Sequence, residues 1–297
     1  MNLNPLQWLP YLALLSTVQI FSQGSMAILK WFWLKRLGIS EADRRQIFST
    51  RKGFDLQALL AEYPEVRIRR VDSFCRKGHH FLSGMLYILI VQWVIKDIFL
   101  IVPTIILQSF INLGFLLIAY RSERVVGLGG LFYGGLARIR DGVYGRINLV
   151  VALLGLCVQY VVVSALALGV MLPLAGNDQT VIMGLINFIY YPQVIGDAAG
   201  EIIGGTWGKH TIKVKGLGEI NRKSWLGTGA VFMSSFLSLV WHISGSRLPS
   251  SYLLLAFVIS LSSTIFELIS PRSTDNATIS ISNALWCTAW LALLSSH

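Results

Sequence analysis

Eight long stretches of this chain are almost wholly apolar, and their length leaves few folds open. They cover residues 8–29, 81–95, 98–120, 147–172, 179–195, 226–243, 251–269 and 277–294. A hydrocarbon core about 30 Å thick is crossed by about 20 apolar residues in a helix. The runs are continuous, whereas a lipid-facing strand would alternate, and in lipid only helices and closed barrels satisfy every backbone group. The expected fold is therefore all-α: a polytopic integral membrane bundle of about eight transmembrane helices. Composition agrees, with 54% hydrophobic and only 13% charged residues, well away from ordinary soluble domains. The first run has no basic residue before it and no small-residue cleavage site after a short core, so it reads as a retained helix and not a removable signal.

The formal charge of +10, from 25 basic and 15 acidic residues, raises the question of a nucleic-acid partner. Such a partner calls for basic residues spread over a soluble face with aromatics between them. Here they sit in particular loops instead. Eleven Lys and Arg lie between Lys35 and Lys77, five between Arg121 and Arg146, and five between Lys209 and Lys223, joined by Lys30 and Arg272. With eight helices threaded from an N-terminus outside, only Lys96 and Arg247 fall on the opposite side. The positive-inside rule makes the basic side cytoplasmic and places both termini across the membrane from it. The charge then serves topology and contact with anionic headgroups or phosphates, with no nucleic acid implied. Cys75, Cys157 and Cys287 are too scattered for a disulfide framework or a zinc site.

Three regions are expected: an N-terminal transmembrane helix over 1–33, a basic cytoplasmic surface segment over 34–78, and a membrane domain over 79–297. Within the second, "SEADRRQIF" and "DLQALLAEYP" read as short helices capped by Ser40 and Asp55, with Pro64 as a stop. The loop "RSERVVGLGGLFYGGLARIRDGVYGR" has an apolar middle too short to span and reads as a re-entrant or interfacial piece.

Four stretches carry residues that could do chemistry. In "GDAAGEIIGGTWGKH", Gly196, Gly200, Gly204 and Gly208 recur every four residues, which on a helix makes a stripe where another backbone can come close. Asp197 and Glu201 form the neighbouring stripe and repel each other unless a cation bridges them; hard oxygen ligands of this kind suit Mg²⁺ shared with phosphates. The plainer reading is a packing stripe beside two solvated acids. In "EINRKSWLGTG", Lys223 and Ser224 precede an apolar helix, where a phosphate would meet an ammonium, a hydroxyl and unpaired amides; Ser224 serves equally well as a simple N-cap. "RKGHHFLSG" sets Arg76, Lys77 and His80 at the mouth of the second helix, and "FELISPRSTDNATIS" sets Glu267, Asp275 and Asn276 around the inner ends of the last two. Ionisable groups at membrane depth are costly and default to a functional reading.

Two nucleotide signatures are excluded. "GGTWGKH" has Ile203 and His210 where a Walker A loop needs Gly and Ser or Thr, and "VVGLGGLF" has Phe132 at the third Rossmann glycine. The topology, counted from Lys and Arg alone, puts all four stretches on one face. Acids for a cation and bases for phosphate in a lipid-accessible bundle imply a phosphate-handling lipid enzyme. A transporter would show paired broken helices from an internal repeat, and the sequence has none; a non-catalytic or transport protein remains the alternative from another class.

Taken together these residues resemble the CTP-dependent lipid kinases, the family of phytol kinase, dolichol kinase and a diacylglycerol kinase. The shared pattern is Gly196-Asp197 with A-x-x-x-G-x-x-x-G, then Lys223-Ser224, preceded by Arg76-Lys77-x-x-His80-x-x-x-Gly84 and followed by Glu267 and Asp275-Asn276. A looser pattern is shared with phosphatidate cytidylyltransferase. Leu226 stands where both families carry an acid. The resemblance covers about residues 74–295 and implies transfer of the γ-phosphoryl of CTP to a lipid alcohol such as phytol, farnesol or a polyprenol. It further implies Mg²⁺ on Asp197, with Glu201, Asp275 or Glu267 completing the site. Lys223 and Ser224 would hold the nucleotide phosphates, helped by Lys209, Arg76 and Lys77, while Asn276 orients the cluster and His80 accepts the alcohol proton. Under the cytidylyltransferase alternative the same site would make CDP-diacylglycerol from CTP and phosphatidate.

Overall fold

The computed structural model describes residues 7–49, 56–121, 139, 145–215, 220–246, 248–271 and 273–296. The glycine-rich stretch read as re-entrant lies, apart from its ends and Ile139, outside the described residues. The described residues form a helical membrane bundle with one small hairpin. Among them seven helical segments, against the eight expected, are long and apolar enough to cross a membrane, and the run over 179–195 is not one of the seven.

Helix α1 (Leu9–Arg36) starts with a proline in its first turn and ends on Lys35 and Arg36, each suited to its end of the helix. Helices α2 (Glu41–Ser49) and α3 (Leu56–Glu62) follow. Ser40 caps α2 as expected, its Oγ accepting the Asp43 N–H at 3.1 Å, while the Asp55 cap lies outside the described residues. Helix α4 (Glu65–Ile90) continues through a π-helical turn, Val91–Ile95. The second membrane helix therefore begins well before residue 81, and "VRIRRVDSFCRKGHH" is its first half. Ile68, Val71, Asp72, Cys75 and His79 are all buried along one side of it. That is helical periodicity which the intervening arginines hide from a reading by apolar runs.

Helix α5 (Ile98–Arg121) leads, across residues that are mostly not described, to α6 (Gly145–Leu166), which is prolonged by a π turn, Ala167–Met171, and a last turn, Leu172–Leu174. The run expected over 179–195 is α7 (Gln179–Tyr191), which passes through a third π turn, Pro192–Gly196, into α8 (Asp197–Trp207). Strands β1 (Thr211–Lys215) and β2 (Ile220–Ser224) pair antiparallel, Thr211 opposite Ser224. The hairpin was not expected; its signal is the alternation Ile212-Lys213-Val214-Lys215, a period of two. Helices α9 (Trp225–Gly245), α10 (Tyr252–Ile269) and α11 (Asp275–Ser295) complete the bundle.

Apolar surface alone does not drive helices together in lipid, and buried polar contacts contribute to the packing. Ser263 donates to Asn283 at 3.0 Å, Asn283 donates to the Ile189 carbonyl at 3.2 Å, and Ser262 and Ser282 meet at 2.8 Å, so α7, α10 and α11 are tied to one another. At the other side Lys30 of α1 lies 2.8 Å from Asp72 of α4, both nearly inaccessible, and Asp72 also accepts the Ile139 N–H at 2.7 Å. Breaking a buried pair leaves a charge uncompensated, so Asp72→Asn is expected to lower stability by about 3 kcal/mol or more. Glu41→Ala, which removes the exposed partner of Arg45, should change it by less than about 1 kcal/mol. Unfolding in detergent, followed for both variants side by side, checks the contrast.

Candidate active site at the mouth of a membrane cavity

The glycine stripe of α8 faces α9. A Cβ on Gly196 would run into the Ser235 hydroxyl, one on Gly200 into Val231, and one on Gly204 would sit 3.0 Å from the Gly227 Cα. The stripe is a packing surface, and close approach of α8 to α9 leaves the neighbouring stripe, Asp197 and Glu201, to meet α4. There Lys77 pairs with Asp197 and lies 3.6 Å from Glu201, while Arg76 pairs with Glu201. The cation that bridges the two acids is thus a lysine of the chain itself. Lys77 and Asp197 are both nearly inaccessible, with side chains 2% and 3% exposed, so each ion depends on the other for its solvation.

His80 Nε2 lies 3.8 Å from Asp197 Oδ2 and 2.9 Å from the Gln193 carbonyl oxygen. A carbonyl can only accept, so Nε2 carries the hydrogen, and this nitrogen cannot take a proton from an alcohol. As a base His80 would therefore have to use its other ring nitrogen, Nδ1. Gln193 itself escaped the sequence reading. It sits in the π turn immediately before Gly196-Asp197, and its side-chain oxygen accepts from Gln159 at 3.0 Å and Ser280 at 2.7 Å. Its signal was an amide in the otherwise apolar "FIYYPQVIG". Because π turns recur at functional sites, the pairing of this one with a buried amide and the site's main carboxylate is informative.

A second ion pair joins Lys223, near the end of β2, to Glu267 in the last turn of α10. Ser224 beside it is the N-cap of α9: its Oγ accepts the Gly227 N–H at 3.0 Å and is closed over by Gly204 and Gly208. The phosphate role expected for Ser224 is therefore corrected to a structural one. Lys209 is exposed in the link between α8 and β1. Asp275 opens α11 and accepts the Asn276 N–H at 3.1 Å. Asn276 Oδ1 is buried with no hydrogen-bond partner. Asp197 and Asp275 both lie near enough to Glu267 for their charges to act on it, and Asp275 also acts on Lys77. The four stretches are thus brought to one place.

A resident Mg²⁺ does not fit this arrangement. Three of the four carboxylates carry a Lys or Arg of the chain, and among the described residues no three His, Cys, Asp or Glu are grouped to hold a metal. What the cluster does adjoin is a cavity of about 290 Å³. Arg76, Lys77, His80 and Asn276 line one end of it, and α4, α5 and α6 carry it on past Tyr87 and Tyr160 to Val91, Ile98 and Ala167. No protein-family model, curated protein or solved structure matches the chain.

Proposed function

We propose that the protein is a membrane kinase that transfers the γ-phosphoryl group of CTP to the hydroxyl of a lipid alcohol. The observation that carries this reading is that Arg76 and Lys77, which line the mouth of a largely apolar cavity, are ion-paired to Asp197 and Glu201 behind it, with a second pair, Lys223 and Glu267, close to Asp197. A lipid tail in that cavity brings its hydroxyl to the cluster. The choice of CTP follows from the resemblance of the sequence motifs, and the cytoplasmic side of the site from the distribution of Lys and Arg.

In this reading the nucleotide arrives with its own Mg²⁺, as substrate, and its phosphates draw Arg76, Lys77 and Lys223 away from their carboxylates. Phosphoryl transfer depends mainly on positioning and on neutralising the equatorial oxygens, which is the task of these three cations. Asn276 Oδ1, an acceptor without a donor, takes the hydroxyl hydrogen bond of the alcohol on arrival, and the hydroxyl turns that hydrogen to Asp197 when Lys77 leaves it. The alcohol oxygen bonds to the γ-phosphorus as the bond to the bridging oxygen breaks and CDP leaves. The alcohol proton passes to Asp197 once Lys77 has turned to the phosphates, and His80 Nε2–H, held by Gln193, keeps the wall of the site in register.

Purified protein given CTP labelled on the γ-phosphorus and a panel of lipid alcohols is expected to yield labelled lipid. Labelled pyrophosphate with phosphatidate as acceptor would indicate the cytidylyltransferase reaction instead. Asp197→Asn and Lys223→Ala should each reduce labelling by at least about a hundredfold, the scale of one lost transition-state contact. Full activity in both variants would overturn the reading.

A further inference from the structure

We infer that Val91, Ile98 and Ala167 form the floor of the acceptor site and set the longest alcohol chain it takes, an inference that rests on the cavity being the lipid site of the proposed kinase. The cavity is polar at one end and apolar at the other. Asn276 Oδ1 and His79 Nδ1, two lining atoms buried without a hydrogen-bond partner, both belong to the mouth. Polar groups further along its walls are engaged with one another: Ser16 donates to Gln108 at 2.6 Å, Gln108 to Asn112 at 3.0 Å, and the Tyr87 hydroxyl to Gln19 at 3.4 Å. A hydrocarbon chain passing these groups leaves their hydrogen bonds intact.

Beyond Tyr87 the lining from α4, α5, α6 and their π turns is closely packed and, Ser164 apart, aliphatic, with Val91 6%, Ile98 2% and Ala167 3% exposed. The geometry sets a length. Fourteen residues of α4 separate Lys77 from Val91, about 21 Å at about 1.5 Å per residue. A zigzag of C–C bonds of about 1.5 Å advances about 1.25 Å per bond, so roughly sixteen or seventeen carbons in line fill that depth. The main chains of phytol and geranylgeraniol match it. Farnesol stops short of the floor, and a polyprenol of many units overruns it. A single chain, attached to a hydroxyl at the mouth, is therefore the occupant.

The test reads binding without nucleotide, so that it stands apart from the kinase reaction. Wild-type protein in detergent is incubated with geranylgeraniol or farnesol analogues bearing a diazirine at the tail end, irradiated and digested. The longer probe is expected to label peptides holding Val91, Ile98 or Ala167, and the shorter one residues nearer Tyr87 and Ile105. Labelling confined to lipid-exposed faces such as Trp93 or Phe257, or identical for both probes, would overturn the inference. Ala167→Phe raises the floor and should weaken geranylgeraniol binding about tenfold, since each methylene expelled from an apolar site is worth roughly fourfold, while farnesol binding is kept. Ile98→Ala deepens the floor and should extend the accepted length. If neither variant changes the length preference, the floor assignment fails even where phosphate transfer is found. Length-dependent binding without any transfer would instead retain the floor and remove the kinase.

Discussion

Lys77→Met is expected to lower stability by about 3–5 kcal/mol and transfer activity by at least about a hundredfold. Asp197→Asn added to it should restore most of the stability and none of the activity. The single change strands a carboxylate that is 3% exposed and for which, among the described residues, Lys77 is the ion-pair partner within hydrogen-bonding distance. The second change removes that charge, and replacing a buried ion pair by neutral groups is often close to neutral in cost. A purely structural pair would lose and regain activity together with stability. A pair that also handles phosphate would not, because the restored fold lacks the ammonium that meets the nucleotide. Unfolding in detergent and labelled-lipid formation, measured on the two singles and the double, separate these outcomes. Recovery of activity in the double variant would confine Lys77 to scaffolding.

Gly227→Ala and Gly229→Ala should move stability in opposite directions, although they lie two residues apart on α9. A Cβ on Gly227 would come within 2.8 Å of the Gly200 carbonyl oxygen and 3.0 Å of the Gly204 Cα. Both neighbours are backbone and cannot swing aside. The helices would have to separate, at about 1–3 kcal/mol, and the separation would displace Asp197 and Glu201 from their positions against Lys77 and Arg76. A Cβ on Gly229 meets nothing within 4 Å, and alanine is the better helix former by about 1 kcal/mol. Gly227→Ala should therefore lose both stability and transfer, while Gly229→Ala keeps transfer and gains slightly in stability. Equal behaviour of the two would mean that the α8–α9 contact does not govern the site.

The bundle was legible because eight apolar runs of that length have so few alternatives in lipid. Its exceptions have physical causes. The beginning of α4 was hidden because Arg67, Arg69 and Arg70 interrupt the apolar count while Ile68, Val71 and Cys75 keep the helical period. The helix over 179–191 was legible, although it is not among the seven long and apolar enough to span, and the π turn that joins it to α8 was not, since such a turn costs no change of composition. Within the site, the meeting of Arg76, Lys77, His80, Asp197 and Glu201 followed from topology and charge. Their pairing did not, because a one-dimensional pattern shows that two acids need a cation without showing that Lys77 supplies it. Ser224 illustrates the reverse: Lys-Ser before a helix fits a phosphate and an N-cap equally, and only the closure of Gly204 and Gly208 over the hydroxyl decides between them.

The charged half of α4 also bears on how the protein is made. Asp72, Arg76, Lys77 and two histidines stand close together on a segment that must end up inside the bundle, and charges of this kind are costly to place in lipid without partners. Lys30 precedes them, so Asp72 can be neutralised as soon as α4 emerges. Asp197 and Glu201 are synthesised about 120 residues later. Until then the first turns of α4 have reason to stay at the water interface, and α4 reaches its final depth only when α8 supplies the opposite charges. Assembly of the site and completion of membrane insertion become one event, which would make a chain truncated before residue 197 a substrate for quality control and not a smaller stable bundle.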